Sequence, residues 1–200
     1  MPPSATIAAF DFDGTLTTRD SLFRFISWRR RRAEVVADLV RTLPLLALYS
    51  ARLVGNESHK MALFARAFQD MPADDFERWA GDFARSEIPP MIRAEALERV
   101  RFHQERGDRV VLISASPTDW IVPWAASEGI TEVIGNAAEV SDGRVTGRLA
   151  GVNCYGPEKV RRLLALNPAR ESYTLFAYGD GRGDRELLAA ANHPYYRRFE

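Results

Sequence analysis

The 200-residue sequence is poor in the features that mark several large classes of protein. A single cysteine, Cys154, leaves no partner for an internal disulfide, which excludes a disulfide-stapled scaffold and suits a reducing compartment. The three histidines, His59, His103 and His193, share no ligand spacing with one another or with Cys154, so no zinc site is expected. Neither sign of charge is in excess: 27 basic residues balance 27 acidic ones. Such a chain has no global field to draw it onto nucleic acid, and no nucleic-acid partner is expected. The opening "MPPSATIAAFDFDG" lacks the basic start and long apolar run of a secretory signal, which points to the cytoplasm. No internal repeat is visible, and the only low-complexity tract is the arginine run at 29 to 32.

What is present is an alternation of strands and helices. "TIAAFDF", "DRVVLISA" (108 to 115) and "YTLFAYG" (173 to 179) read as short buried strands, each ending in small or polar residues. Helical stretches separate them, as in a parallel α/β sheet, whose ligands sit at the carboxyl ends of the strands. "EVSDGRVTGRL" (139 to 149) reads as a β-hairpin around Asp142-Gly143, and "PYYRRF" as a last edge strand. "PTDWIVPWAASEG", "GPEKVRRLLALN" and "GDRELLAAA" read as helices. The four tryptophans, Trp28, Trp79, Trp120 and Trp124, suit core contacts better than a stacking platform.

Between the first two strands almost no strand signal occurs. The reading is helical, with one helix over "DSLFRFISWRRRRAEVVADLV" and breaks at Pro44, Gly55, Pro72 and Pro89-Pro90. A block of this size is too large for a crossover and predicts a second, all-helical module over 19–104, inserted after the first strand of a core formed by 1–18 and 105–200.

The strand ends carry the unusual residues: Asp11 and Asp13, then Ser114 with Ser116 nearby, then Lys159 early in a helix, then Asp180 and Asp184. Four carboxylates converging on one lysine leave an excess of negative charge on hard oxygen donors, which calls for Mg²⁺. With that charge balanced, Asp11 can attack phosphorus, and Asp13 can protonate the leaving alkoxide and then activate water. Asp184 is also placed to be the N-cap of "RELLAAA".

In order and spacing, "DFDGTLT", "VVLISAS", the lysine of "GPEKVRRL" and "YGDGRGDRELL" resemble the four motifs of the haloacid dehalogenase-like phosphatases. Specifically, they resemble the phosphoserine-phosphatase-like branch, with a helical cap inserted after the first motif. The resemblance implies a Rossmann-like α/β core with a parallel sheet, and an all-α cap over the site. It implies Asp11 as nucleophile, Asp13 as acid and base, Ser114 as phosphoryl hydrogen-bond donor and Lys159 as charge stabiliser. Asp180 would hold Mg²⁺ with Asp11 and the backbone carbonyl of Asp13, and Asp184 would hold it directly or through water. Arg19, Asp20, Ser116 and Gly181 are the candidates for substrate and cap contacts. Phosphoserine phosphatases typically read Gly-Asp-Gly-Ala-Asn-Asp where this chain has "GDGRGD", so Gly183 stands in place of the asparagine. Asp20 lies where they carry a glutamate, and it is placed either to bind a cation or to cap the first cap helix.

These features predict a Mg²⁺-dependent phosphatase that forms an aspartyl-phosphate on a small-molecule or lipid phosphate ester. Phosphatidylglycerophosphate and phosphoserine are the named substrate options. The lipid option draws on a looser resemblance, through "CYGPEKV" with Cys154 and Tyr155, and on residues 27–55, which run from the arginine cluster into a Leu-rich stretch. That segment is too interrupted to span a bilayer comfortably; it reads as a cap helix pair or as a peripheral membrane contact. A receiver-like phosphoacceptor domain is the non-enzyme option. The helical insert and an Asp pair that follows the lysine argue against it.

Overall fold

The computed structural model describes residues 5–28, 30, 32–50 and 56–199. Its centre is β1 (Ala5–Phe10), which pairs in parallel with β2 (Arg109–Pro117) on one side and β6 (Tyr173–Gly179) on the other. Strand β3 (Glu132–Asn136) extends the sheet beyond β2, and β7 (His193–Tyr196) beyond β6, giving the order β3-β2-β1-β6-β7. All four pairings are parallel. The α/β reading is therefore correct, with β3 added where no strand was expected.

The alternating side chains of β1 sort to two cores. Ile7 and Ala9 join Val111, Ile113, Leu175 and Ala177 on one face, while Ala8 and Phe10 join Val110, Leu112 and Tyr178 on the other. A strand buried on both faces has no polar side to present, which is why its sequence is a run of small and apolar residues. From β1 the chain builds outward to β2 and β3 on one side and later to β6 and β7 on the other. This reversal of direction opens a crevice at the carboxyl ends of β1 and β6.

The residues after β1 make one turn (Phe12–Leu16) and lead into α1 (Ser21–Trp28), α2 (Arg32–Ser50), α3 (Asn56–Phe68) and α4 (Ala73–Ser86). Two expectations need correcting here. The helix read over 20–40 divides between Trp28 and Arg32, and α2 continues through Pro44. A proline removes one ladder bond and crowds the preceding turn, which bends a helix without having to end it. The break expected at Gly55 lies outside the described residues.

An aromatic knot seats these helices on the sheet layer. Phe25 of α1 lies 5.0 Å from Phe68 of α3, 5.0 Å from Phe83 of α4 and 4.6 Å from Trp120, between ring centroids. Trp120 belongs to α6 (Thr118–Ser127), and its indole N–H donates to Ser21 Oγ at 3.0 Å. On the other flank the β4 (Ala138–Ser141) and β5 (Arg144–Leu149) hairpin turns at Asp142-Gly143, both with positive φ as such a tight turn requires. Its backbone is stitched to the α3–α4 connection: Asp70 N–H donates to Val145 O, and Val145 N–H to Met71 O, each at 2.9 Å.

Helix α5 (Ala94–Glu105) packs on the sheet: buried His103 lies between Asp108 (2.8 Å) and the Tyr178 hydroxyl of β6 (2.9 Å). Helices α7 (Pro157–Leu166) and α8 (Arg185–Ala190) cover the opposite face. Trp120 and Trp124 are core residues, as expected. Among the described residues no helix is long and apolar enough to cross a membrane.

Candidate active site

The four motif aspartates arrive at the carboxyl edge of β1 and β6. Asp11 follows β1 directly in extended backbone, its N–H donating to Tyr178 O at 3.0 Å, so the sheet ladder fixes the point at which the side chain leaves. Lys159, in the first turn of α7, is only 2 % exposed, and its Nζ donates to Asp11 Oδ1 and to Asp184 Oδ1 at 2.6 Å each. The second oxygen of Asp11 accepts from Thr15 Oγ1 at 3.1 Å.

Asp184 is held from the other side by the loop after β6: its Oδ2 accepts from the N–H groups of Asp180 (3.2 Å) and Gly181 (3.0 Å). That engagement overrides the N-cap option. Helix α8 has no side-chain cap, because the Asp184 carboxylate turns back into the loop. The role of Gly181 here is structural, through its backbone N–H.

Asp13 points elsewhere. Its Oδ2 accepts from Ser116 Oγ, and its Oδ1 from the Ser21 N–H at the start of α1 (2.8 Å). Ser116 N–H donates to Ser114 Oγ at 3.0 Å, so the two serines form a short chain from the end of β2 to Asp13. The structure thus brings Asp11, Lys159, Asp180 and Asp184 into one group, and Asp13, Ser114 and Ser116 into an adjoining one. Arg19 stays outside both; its side chain is exposed and only its carbonyl is engaged, by Thr17 Oγ1 at 2.6 Å.

Asp20 is the cap of α1, and the cation beside it is one of this chain's own. Its Oδ1 caps α1 by accepting from Phe23 N–H at 3.2 Å, while Oδ2 pairs with Lys60 Nζ. Lys60, from α3, had no sequence signal, since a lone lysine in a helical segment looks like any solvated residue. Burial works against its charge, but Asp20 and Asp13 raise its pKa, and it faces the Asp13 side of the site. Thr15 was likewise missed; a threonine four residues after Asp11 is informative only once the turn has folded.

Two glycines are required by close approach. Gly14 has φ +83°, and a Cβ there would lie 2.5 Å from an Asp180 carboxylate oxygen. The Gly183 that stands in place of the family's asparagine makes room for a ring: a Cβ there would lie 2.6 Å from Tyr155. Beside it Cys154 is buried, and burial pushes its thiol up to about 11, so it is packing material and not a nucleophile.

The electrostatics follow from burial of excess negative charge. Burial pushes Asp11 up to about 7, with Lys159 opposing and Asp184 and Asp13 adding to the rise. Burial and the Asp20 charge push Asp13 up to about 6, against Lys60 and the hydrogen bonds from Ser116 and Ser21. Asp180 is raised by burial and by Asp184. Lys159 is raised by Asp11 and Asp184 in spite of a large burial penalty, so it is a permanent cation.

Asp11, Asp180 and Asp184 can each offer an oxygen to a common point, with those atoms within 4.8 Å of one another. An all-oxygen carboxylate set with one neighbouring cation and a raised Asp11 pKa fits Mg²⁺. The sign of the pH effect is set by that pKa. Unfolded Asp11 ionises near 3.8 and the folded group near 7, so without metal the native state loses stability as pH rises between these values. A divalent cation replaces the proton. The rise in Tm on adding Mg²⁺, read by calorimetry, will therefore be larger above pH 7 than below it; a pH-independent shift would contradict metal binding by Asp11.

Comparison with known proteins gives a coherent answer. The family model for haloacid dehalogenase-like hydrolases matches residues 8–189. The protein CicA of Caulobacter vibrioides is 35% identical over 194 residues, covering 96% of this chain and 86% of that one. A probable phosphatase of Mycobacterium tuberculosis is 27% identical over 205 residues, covering 96% and 68%. The crystal structure of a phosphoserine phosphohydrolase-like protein from Francisella tularensis superposes with a TM-score of 0.66 at 19% identity, covering 94% and 84%.

Proposed function

The chain belongs to the haloacid dehalogenase-like hydrolases, and we propose that it is a Mg²⁺-dependent phosphomonoesterase working through an aspartyl-phosphate on Asp11. The observation that carries this reading is the Lys159 ammonium, buried and hydrogen-bonded at once to Asp11 and Asp184 beside Asp180. It holds one oxygen of Asp11 and leaves the other, bound only by Thr15, as the attacking atom.

Asp11 Oδ2 forms a bond to phosphorus as the bond from phosphorus to the ester oxygen breaks. Asp13 gives its proton to the departing alkoxide, which leaves as the alcohol. Water then attacks the same phosphorus, Asp13 takes its proton, and inorganic phosphate and free Asp11 carboxylate result. Mg²⁺ on Asp11, Asp180, Asp184 and the carbonyl of Asp13 would offset the charge of the phosphoryl oxygens. Ser114 and Ser116 supply hydroxyls at the phosphoryl side, and the hydrogen bond from Ser116 orients Asp13. A receiver-like domain is set aside by the family.

Helices α1–α4 act as the cap, and the Asp20–Lys60 pair is where it meets the leaving group. A charged pair at that place suits an alcohol bearing its own charge. Lys60→Ala will lower kcat/KM for such an ester at least tenfold while changing p-nitrophenyl phosphate turnover little, since each charge-assisted hydrogen bond lost is worth about 1.5–3 kcal/mol. An equal fall on both would remove Lys60 from substrate selection. A second reading, an ester carried on a lipid, is favoured by the outward apolar face of α2.

The test is a phosphate-release panel with and without Mg²⁺, containing p-nitrophenyl phosphate, phosphoserine, sugar phosphates and phosphatidylglycerophosphate in mixed micelles. Mg²⁺-dependent release from at least one ester is expected. No release from any of them would overturn the proposal.

A further inference from the structure

Among its described side chains, residues 33–44, helix α2 is inside out. The buried ones are polar: Asp38 is 4% exposed and Thr42 3%. Its apolar residues Val36, Leu39, Val40 and Leu43, spaced as one helical stripe, are 56%, 40%, 56% and 51% exposed. The inward polar side is fully engaged. Asp38 accepts from Arg30 and from Arg66 of α3, each at 2.8 Å, and Thr42 Oγ1 donates to the Asp38 carbonyl at 2.9 Å. Although burial opposes its charge, the two arginines hold Asp38 below the ordinary carboxylate range. An ion pair therefore fixes the helix with its apolar stripe outward, the reverse of what water alone favours.

The charge around the stripe identifies what covers it. Residues 27–55 carry six arginines, Arg29 to Arg32, Arg41 and Arg52, against Glu34 and Asp38, in a chain that is neutral as a whole. Arg30 and Asp38 are consumed by each other, which leaves five arginines against Glu34; the side chain of Arg41 stays 63% exposed although its guanidinium comes within 3.7 Å of Asp38. An outward apolar stripe in a segment whose sequence is this rich in arginine matches the boundary between anionic headgroups and acyl chains. No described helix is long and apolar enough to span a bilayer, so a contact through α2 would be along the surface.

We propose that the outward face of α2 docks this protein on an anionic lipid surface, and that its substrates are phosphate monoesters carried there. The second half rests on the phosphatase reading; the first does not. Helix α2 packs on α3, which carries Lys60, so docking brings the leaving-group side of the site toward the membrane.

The test is flotation of the full chain with vesicles of phosphatidylcholine alone and of phosphatidylcholine with phosphatidylglycerol, at low and high salt. Soluble p-nitrophenyl phosphate turnover and sedimentation without lipid are measured alongside. Binding to the anionic vesicles alone, weakened by salt, is expected. Val40→Glu/Leu43→Glu will weaken it by roughly a hundredfold, on the order of tenfold per apolar side chain, and leave soluble-ester turnover unchanged. Arg41→Gln, which alters no apolar residue and sets no like charge beside Asp38, will weaken it by a smaller factor and covers the case in which the double variant misfolds. Failure of the wild type to float, equal binding to both vesicles, or full binding by a folded double variant would overturn the docking. So would a lipid-free dimer that the double variant dissociates. Docking with no turnover of any ester would instead overturn the phosphatase reading.

Discussion

Asp11→Asn will reduce Mg²⁺-dependent phosphate release by about 10⁴-fold or more, the scale seen when a covalent nucleophile is removed. The amide cannot attack phosphorus, and it also costs the cation site one of its three carboxylates. The fold should survive. Asp11 is buried and raised to about 7, so replacing it with a neutral isostere removes a buried charge instead of a stabilising one. Without metal, Asp11→Asn is therefore expected to keep or raise Tm above pH 7 while turnover disappears. A variant retaining more than a small fraction of activity would show that another residue attacks.

Lys159→Met is expected to have the largest effect on stability. Methionine fills a similar volume but leaves Asp11 and Asp184 buried without the cation that bonds both at 2.6 Å. Breaking a buried charge pair from one side costs about 3–5 kcal/mol, which in a domain of this size lowers Tm by roughly 10 °C. The pH dependence identifies the cause. The folded pKa of Lys159 is raised above its ordinary 10.5, so its contribution is fully present below 10.5 and is lost only as pH rises through the folded value. In the variant nothing opposes the rise of Asp11, which therefore titrates above its wild-type value of about 7, so the deficit grows as pH rises above about 7 and shrinks as pH falls back to it, and Mg²⁺ restores part of it. A deficit independent of both pH and Mg²⁺ would point to packing alone. Thermal melts of both proteins across pH, with and without Mg²⁺, decide this.

The parts of the fold that local sequence determines were legible. β1, β2 and β6 are apolar because both their faces are buried, and Asp142-Gly143 supplies the positive φ its hairpin needs. β3 was not legible, since Glu132, Gly135 and Asn136 make it half polar; it is a strand because β2 offers it an edge. The persistence of α2 through Pro44 and its outward apolar face are equally non-local, and the latter depends on Arg66 from another helix meeting Asp38.

The same division runs through the site. Aspartates bound to strand ends announce themselves by position, so Asp11, Asp13, Asp180 and Asp184 could be named in advance. Residues whose role depends on reaching across the crevice could not: Lys60 meets Asp20 across 40 residues of chain. Arg19 shows the converse, a charged residue beside the motif whose side chain turns to the surface.

The central claim is that phosphorus passes through a covalent bond to Asp11. Asp13→Asn removes the base that activates water for the second step, so the phosphorylated protein should accumulate on mixing that variant with Mg²⁺ and an ester whose alcohol leaves without a proton, such as p-nitrophenyl phosphate. Mass spectrometry of the quenched, digested protein is predicted to find one phosphoryl group, sensitive to hydroxylamine, on the peptide containing Asp11, and none in Asp11→Asn/Asp13→Asn. Release of p-nitrophenol with no labelled peptide, or a label on any residue other than Asp11, would contradict the account.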